Sequence, residues 1–365
     1  MKICAVYIPI RVFQLGTSWA TLEKVGTGLR PDKRVAIGAL ISPSNLKTAD
    51  LSNLQPSNTT PNLETMSLEY VVVDVFTKTR FLGNPLAIIL VPAKHQSTLT
   101  QETKQKIALE FNLSETVFLH EHPEDISNSD SFTIDIFTPK CEIPFAGHPT
   151  IGTATYILRH YPRSSQTLKE LVTKAGPIPI SQDVSSEMLS ASIPFECHLH
   201  QTPVVSDMAV NGTAPIMSIV KGLSFVLAEL PDVDRLASVS AGLLEDCLNV
   251  EIMDEEWKCG LTGTKYFVDL GKDENGIRQL RTRMFVSWED PGTGSASSAV
   301  ACYLALGESK EHGAGPFFYH IIQGVEMGRR NDIFVTVSRS EDGERIAEVL
   351  LRGDSVLVSE GRISV

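Results

Sequence analysis

From residue 70 onward, apolar positions fall in short runs broken by glycine, proline and polar stretches. Residues 70–76 and 86–91 are rich in Val and Ile and read as strands joined through Gly83-Asn84-Pro85. Residues 100–111 change period: Ile107, Ala108 and Phe111 share a helical face, and Thr100 is an N-cap candidate. Residues 116–120 and 132–137 alternate like half-buried strands, and 149–158 reads as a helix with a small-residue start. The second half repeats the mixture, with strands near 218–227, 265–270 and 281–286 and a helix over 296–306. Short, adjacent strands favour an antiparallel α+β fold over a doubly wound parallel sheet.

An internal repeat organises these elements. Glu142-Ile-Pro144-Phe-Ala-Gly147-His148 stands 147 residues before Glu289-Asp-Pro291-Gly-Thr-Gly294-Ser295, and the offset continues through Ala154/Ala301 and Tyr156/Tyr303. Five identities at one spacing point to a duplicated unit of strand, E-x-P-x-x-G turn and helix. Each turn sets a glycine at a helix N-terminus, where free N–H groups and the helix dipole favour anions. If the two turns face each other, one cleft receives both helix ends and suits a small carboxylated ligand.

Length and charge agree. The 365 residues exceed one ordinary core, so two domains are expected. Residues 1–67 differ from the body: seven basic against four acidic side chains give +3, leaving −15 of the total −12 for 68–365. Between residues 41 and 67, 16 of 27 are Ser, Thr, Asn or Pro, which reads as linker. Met66 follows, so the segment reads as an appendage or an over-long start. Its apolar run from Ile3 to Ile10 is broken by Pro9 and ended by Arg11, which is poor for a secretory signal, and Ser is sparse for a mitochondrial one. No stretch approaches the ~20 apolar residues of a spanning helix. An acidic body repels a phosphate backbone, which disfavours nucleic-acid binding. Six scattered cysteines (Cys4, Cys141, Cys197, Cys247, Cys259, Cys302) without C-x-x-C pairs fit reduced thiols and a cytoplasmic location, leaving the sequons at Asn58, Asn112 and Asn211 idle.

Four ordered motifs then resemble one family: Phe81-Leu-Gly83-Asn84-Pro85-Leu-Ala87, Asn112-Leu-Ser114-Glu115-Thr116, and the two repeat turns, with Gln323-Gly324-Val-Glu-Met327-Gly328-Arg329 as a late fifth. Together they are similar to the PhzF-like phenazine-biosynthesis family over about residues 70–350. The resemblance implies a diaminopimelate-epimerase-like fold, two similar α+β domains facing each other over a cleft, at 68–195 and 196–365, with the last strand able to return to the first domain. It implies an isomerase without metal or organic cofactor, commonly a homodimer. Carried onto this chain, Glu115 is the acid–base, His148, Asp290 and Ser295 surround the substrate, and Asn84, Gly147 and Gly294 line it. Two departures stand out: Gly292 replaces an expected Ala, which should loosen the turn, and Arg330-Asn331 follows the late motif where many relatives continue with Pro or Ser.

Each residue also has a plainer reading. Glu115 alone could be an exposed turn carboxylate, but at a strand mouth, partly desolvated, its pKa would rise as a proton carrier requires. His148 at a helix start is expected to be neutral, or simply a cap. Asp290 could orient a substrate amine or hydroxyl or cap its turn, and Ser295 could offer a backbone N–H or an N-cap. His120-x-His122 and His198-x-His200 have metal-compatible spacing but no convincing third ligand. Gly292-Thr-Gly294-Ser lacks the third glycine and the later acid of a dinucleotide site. Cys141 and Cys302 are not both at helix mouths, which disfavours a two-thiol racemase. The expectation is a proton-shifting isomerase of a small carboxylated metabolite, with an epimerase or racemase on the same fold, or a non-catalytic ligand binder, as alternatives.

Overall fold

The computed structural model describes residues 66–123, 129–162, 168–182, 188–244 and 251–365. Residues 1–65, on which the linker reading falls, with Cys4 and Asn58, and Cys247 lie outside them. In the first half, β1 (Ser67–Val75) pairs antiparallel with β2 (Asn84–Val91). α1 (Gln101–Phe111) leads into β3 (Thr116–His120), parallel to β2, followed by β4 (Ser131–Phe137) and the short β5 (Glu142–Ile143). Thr100 caps α1 by accepting from the Thr103 N–H, and Asn112 ends it in the left-handed conformation (φ 49°). After α2 (Gly147–His160), strands β6 (Glu170–Thr173), β7 (Gly176–Gln182) and β8 (Leu189–Ser192) complete this half.

The second half begins with short β9 (His198–Leu199), β10 (Val204–Val205) and β11 (Thr213–Ala214). The single strand expected over residues 218–227 is two, β12 (Ile216–Val220) and β13 (Leu223–Glu229). Gly222, at φ +87°, turns the chain between them, a conformation that carries little cost only without a Cβ. Then come α3 (Val233–Ser238), β14 (Leu261–Lys272), β15 (Arg278–Phe285), β16 (Glu289–Asp290) and α4 (Gly294–Gly307). β17 (Phe317–Gln323), β18 (Asn331–Arg339), β19 (Ile346–Gly353) and β20 (Ser355–Ser364) follow, and β20 returns to pair antiparallel with β1. Antiparallel pairing dominates, with parallel contacts at β2–β3, β4–β6, β13–β14 and β15–β17.

Each half wraps its sheet round one helix. α2 is buried from Gly147 to Ile157 and packs on β1, β2, β3, β8 and β20. α4 is buried from Gly294 to Cys302 and packs on β12, β13, β14, β17 and β18. A helix enclosed on all sides cannot be amphipathic, and its residues must be small where strands press close. Gly152 shows the limit: an added Cβ would lie 2.7 Å from Val75 Cγ2 and 2.8 Å from Leu86 Cδ2. The buried hydroxyls of Thr150, Thr155 and Ser298 are satisfied by carbonyls one turn back, at 2.8–2.9 Å. Among the described residues no helix is long and apolar enough to cross a membrane.

Candidate active site

The N-termini of the two central helices meet. A Cβ added to Gly147 would stand 3.2 Å from Gly294 Cα, and one added to Gly294 would stand 3.3 Å from Gly147 Cα. Both would also strike Leu351. The N-cap residues, Ala146 and Thr293, provide no side-chain capping bond, so neither helix start is capped by its own N-cap side chain. The two repeat turns therefore lie against each other. Ser295 is the second residue of α4 and buried, with Thr293 as the cap residue, so the N-cap reading of Ser295 is corrected.

Glu115 enters from the loop between α1 and β3, and His148 from the first turn of α2. His148 Nδ1 and Glu115 Oε2 approach to 3.4 Å. Glu115 Oε2 and His148 Nε2 are buried without a hydrogen-bond partner among the described residues. Burial and the facing Asp290 charge push the Glu115 carboxyl up to about 8, opposed by the Ser114 hydroxyl. Burial alone pulls the His148 imidazole down to about 3, so His148 is neutral at any physiological pH. A carboxyl near neutrality beside a neutral imidazole is equipped to accept and release protons.

Asp290 comes from β16 in the other half. Thr293 Oγ1 donates to Asp290 Oδ2, and Asn84 Nδ2 donates to Oδ1 at 3.2 Å and to the Gly292 carbonyl at 3.0 Å. Ser114 Oγ donates to Asn84 Oδ1 at 3.2 Å, so Asn84 links the Glu115 loop to the Asp290 turn. Burial pushes Asp290 above the ordinary carboxylate range, while Thr293, Lys265 and the Gly292 N–H pull the other way. Asn84 thus acts first as a bridge across the cleft. Lys265, Thr293 and Gln323, which stand directly behind Asp290, had no role in the sequence reading; Thr293 and Gln323 lay within quoted motifs, and Lys265 lay in none.

The Asn84 loop is held rigidly. Phe76 (φ 60°) and Phe81 (φ 69°) flank it in the left-handed region, which strains a bulky residue. Asp332 N–H and Asp354 C=O bind the Phe76 backbone at 2.8 and 2.7 Å. Arg329 spans Asp74 Oδ1 (2.6 Å), the Phe81 carbonyl (3.1 Å) and the Gly83 carbonyl (3.0 Å). The repeat acids are spent at the rim: Glu142 pairs with Lys174 and Glu289 takes a bidentate Arg283.

The histidine pairs resolve differently. His120 binds Asp135 at 2.8 Å and His122 the Ser131 carbonyl at 2.8 Å. His198 and His200 do gain a carboxylate, Asp254, from 54 residues away in the sequence. Both nitrogens of His200 are already used, Nδ1 accepting the Asp254 N–H at 3.0 Å and Nε2 meeting Ser218 Oγ at 2.8 Å. With His198 stacked on Trp257 at 4.6 Å, the cluster works as a hydrogen-bonded knot between β9 and the Trp257 turn. Cys141 is exposed and Cys302 is buried inside α4, so two facing thiols are not assembled.

Residues 73–361 match the family model described as phenazine biosynthesis-like protein, PhzC-PhzF. The chain is a member of this family. It is 30% identical to trans-2,3-dihydro-3-hydroxyanthranilate isomerase of Pseudomonas aeruginosa, over 80% of this chain and 98% of that one. Its fold is similar to that of the PhzF-family protein of Bacillus anthracis (TM-score 0.63, 20% identity, covering 82% of this chain and 100% of that one). It is also similar to that of a hydroxyproline epimerase of Agrobacterium vitis (TM-score 0.54, 12% identity, covering 82% and 93%). The fold is therefore diaminopimelate-epimerase-like, and the chain is an isomerase of the PhzF type.

The two departures from the family pattern are one feature. Asn331 Nδ2 donates to the Pro291 and Arg329 carbonyls at 2.6 and 2.7 Å. Its Oδ1 lies 2.2 Å from where a Cβ on residue 292 would stand. The expectation that Gly292 loosens the turn is therefore corrected: this PhzF-family chain fills the missing methyl's space with Asn331, which ties the turn down.

Proposed function

We propose that this PhzF-family isomerase moves a proton on a small carboxylated metabolite without a cofactor, with Glu115 as the acid–base. The observation that carries the reading is the Glu115 carboxyl, partly buried with an unspent oxygen, beside neutral His148 and the converging starts of α2 and α4. The helix starts suit a substrate carboxylate. Glu115 takes a proton from an activated C–H and returns it to another carbon of the same substrate. His148, uncharged, steadies the polar group that gains charge as the proton leaves. Asp290 accepts from the substrate's amine or hydroxyl from the opposite wall, Asn84 holds Asp290 in place as the bridge to it, and Ser295 with Gly147 and Gly294 frames the carboxylate.

Trans-2,3-dihydro-3-hydroxyanthranilate, the substrate named for the Pseudomonas aeruginosa relative, is the first compound to try. Turnover in D₂O with wild type, and none with Glu115→Gln, is the expected result; equal conversion by both proteins would sink the role of Glu115. The epimerase reading has its own support in the fold shared with a hydroxyproline epimerase and in carboxyl groups presented from both walls. Solvent deuterium at an inverted stereocentre of a candidate amino acid would select it.

A further inference from the structure

We infer that Lys265 is a positioning residue of this site: acting through Gln323 and Thr293, it holds Asp290 as the carboxylate of the facing acid pair and leaves the proton on Glu115. Lysine is almost never wholly enclosed without a partner, yet Lys265, in the middle of β14, is fully buried. On the face of the sheet toward α4 its strand neighbours are Phe225, Leu227, Phe267 and Met284, an apolar shell that offers nothing to an ammonium group. Its polar contacts are Ser297 Oγ at 3.2 Å and, closer, Gln323 Oε1.

The direction of the chain of hydrogen bonds is set by backbone groups that cannot change role. The Thr293 N–H can only donate, and it meets one end of the Gln323 amide at 3.1 Å, so that end is Oε1. The Asp290 C=O can only accept, and it meets the other end at 2.7 Å, so that end is Nε2. Lys265 must then donate to Gln323 Oε1. Gln323 Nε2 donates to Thr293 Oγ1 at 3.1 Å, and the Thr293 hydroxyl, having accepted, donates to Asp290 Oδ2. Asn84 is oriented the same way by the Gly292 carbonyl, and it donates to Asp290 Oδ1. Both oxygens of Asp290 thus face donors, and a proton on either would meet another hydrogen. Burial pulls the Lys265 ammonium down to about 7 while the Asp290 charge pulls it back up; each bond in such a series polarises the next, so whenever Lys265 carries its proton the positive charge strengthens the last donor.

The titratable groups facing this cluster are Glu115, from the α1–β3 loop, and His148, from α2; Ser297 of α4, Gln323 of β17 and Thr293 add donors and acceptors but no charge. Two carboxyls over one cleft do not both ionise easily. Lys265 sits behind Asp290 and not behind Glu115, and so decides which of them carries the charge. The repeat turns are similar, but this cation belongs to one half only. The consequence for binding, which rests on the isomerase reading above, is that Asp290 offers a carboxylate to an ammonium or hydroxyl of the substrate, while Glu115 must first lose the proton it holds before it can take one from the substrate.

The test needs no substrate, so it stands apart from any failure of the isomerase reading. Protein labelled with carbon-13 at aspartate side-chain carboxyls is titrated by NMR, with the Asp290 resonance assigned by its loss in Asp290→Asn. In wild type we expect Asp290 to remain ionised at neutral pH. In Lys265→Met its midpoint should rise by about one to three pH units. An unchanged midpoint in a Lys265→Met protein of wild-type circular dichroism overturns the proposal. Should that variant fail to fold, Thr293→Val decides: it removes only the last donor, a smaller upward shift supports the relay, and no shift overturns it.

Discussion

The two halves share a turn, a glycine and a buried helix, yet Glu115 with His148 on one side and Asp290 on the other are bonded differently. In the first half, Glu115 Oε2 and His148 Nε2 are buried with no hydrogen-bond partner among the described residues, and the two side chains, 33 residues apart in sequence, approach to 3.4 Å. In the second, Asp290 is held by Thr293 and Asn84, and its neighbours Gln323, Thr293 and Lys265 are bonded in turn. An unsatisfied buried group costs stability and stays only where something else needs it. A saturated group keeps its geometry and charge. On the proposed function, the first wall carries the proton chemistry and the second holds the partner carboxylate.

The contrast can be broken most severely at Glu115. Glu115→Gln should lower turnover by about 100-fold or more, read as product formation from a carboxylated substrate; turnover within a few-fold of wild type would place the chemistry on the Asp290 wall. With the carboxylate as the starting base, kcat/KM should climb roughly tenfold per pH unit up to about 8 and then level. His148, pulled down to about 3, should add no break near the usual histidine value. A second inflection there would give His148 a charge it is not expected to carry.

The same carboxyl predicts a stability effect of opposite sign. Its folded pKa, about 8, lies above the ordinary 4.5, so the native state binds more protons between those values and loses stability as pH rises through them. Glu115→Gln should therefore be more stable than wild type by on the order of 4 kcal/mol at pH 8 and by little at acid pH, by thermal melting. Gly147→Ala and Gly294→Ala should each cost about 1–3 kcal/mol, because both walls lack room for a methyl; equal melting temperatures would mean that the helix starts do not press together. The smallest effect is at the holder wall's own substitution. Gly292→Ala should cost about 1 kcal/mol or more, and Asn331→Ser should relieve much of it, giving a clear coupling in a double-mutant cycle.

Much of this was legible in the chain. The helical periodicity and Thr100 predicted α1 with its cap, and alternating apolar runs located most strands of the core. Five ordered motifs pointed to the family and named Glu115, His148, Asp290 and Ser295; the fold sets Glu115 beside His148 and links the Glu115 loop to Asp290 through Asn84. The hairpin at Gly222 was missed because two adjacent apolar strands separated by Lys-Gly resemble one longer strand. Lys265 was passed over because a lysine in an alternating strand ordinarily points to solvent. Asp254 could not be joined to His198 and His200, since nothing local links residues so far apart.

The sequence by itself therefore determined the local conformations, the duplicated turns and the kinds of chemical group available, because periodicity, caps and glycines act within a few residues. Only the tertiary structure decided which of those groups are free. Packing α2 and α4 end to end left Glu115 and His148 unspent. It also sealed Lys265 behind Gln323 and Thr293 and closed Asn331 over Gly292. Burial and donor direction depend on neighbours that distant segments supply, and those terms decide where a proton rests.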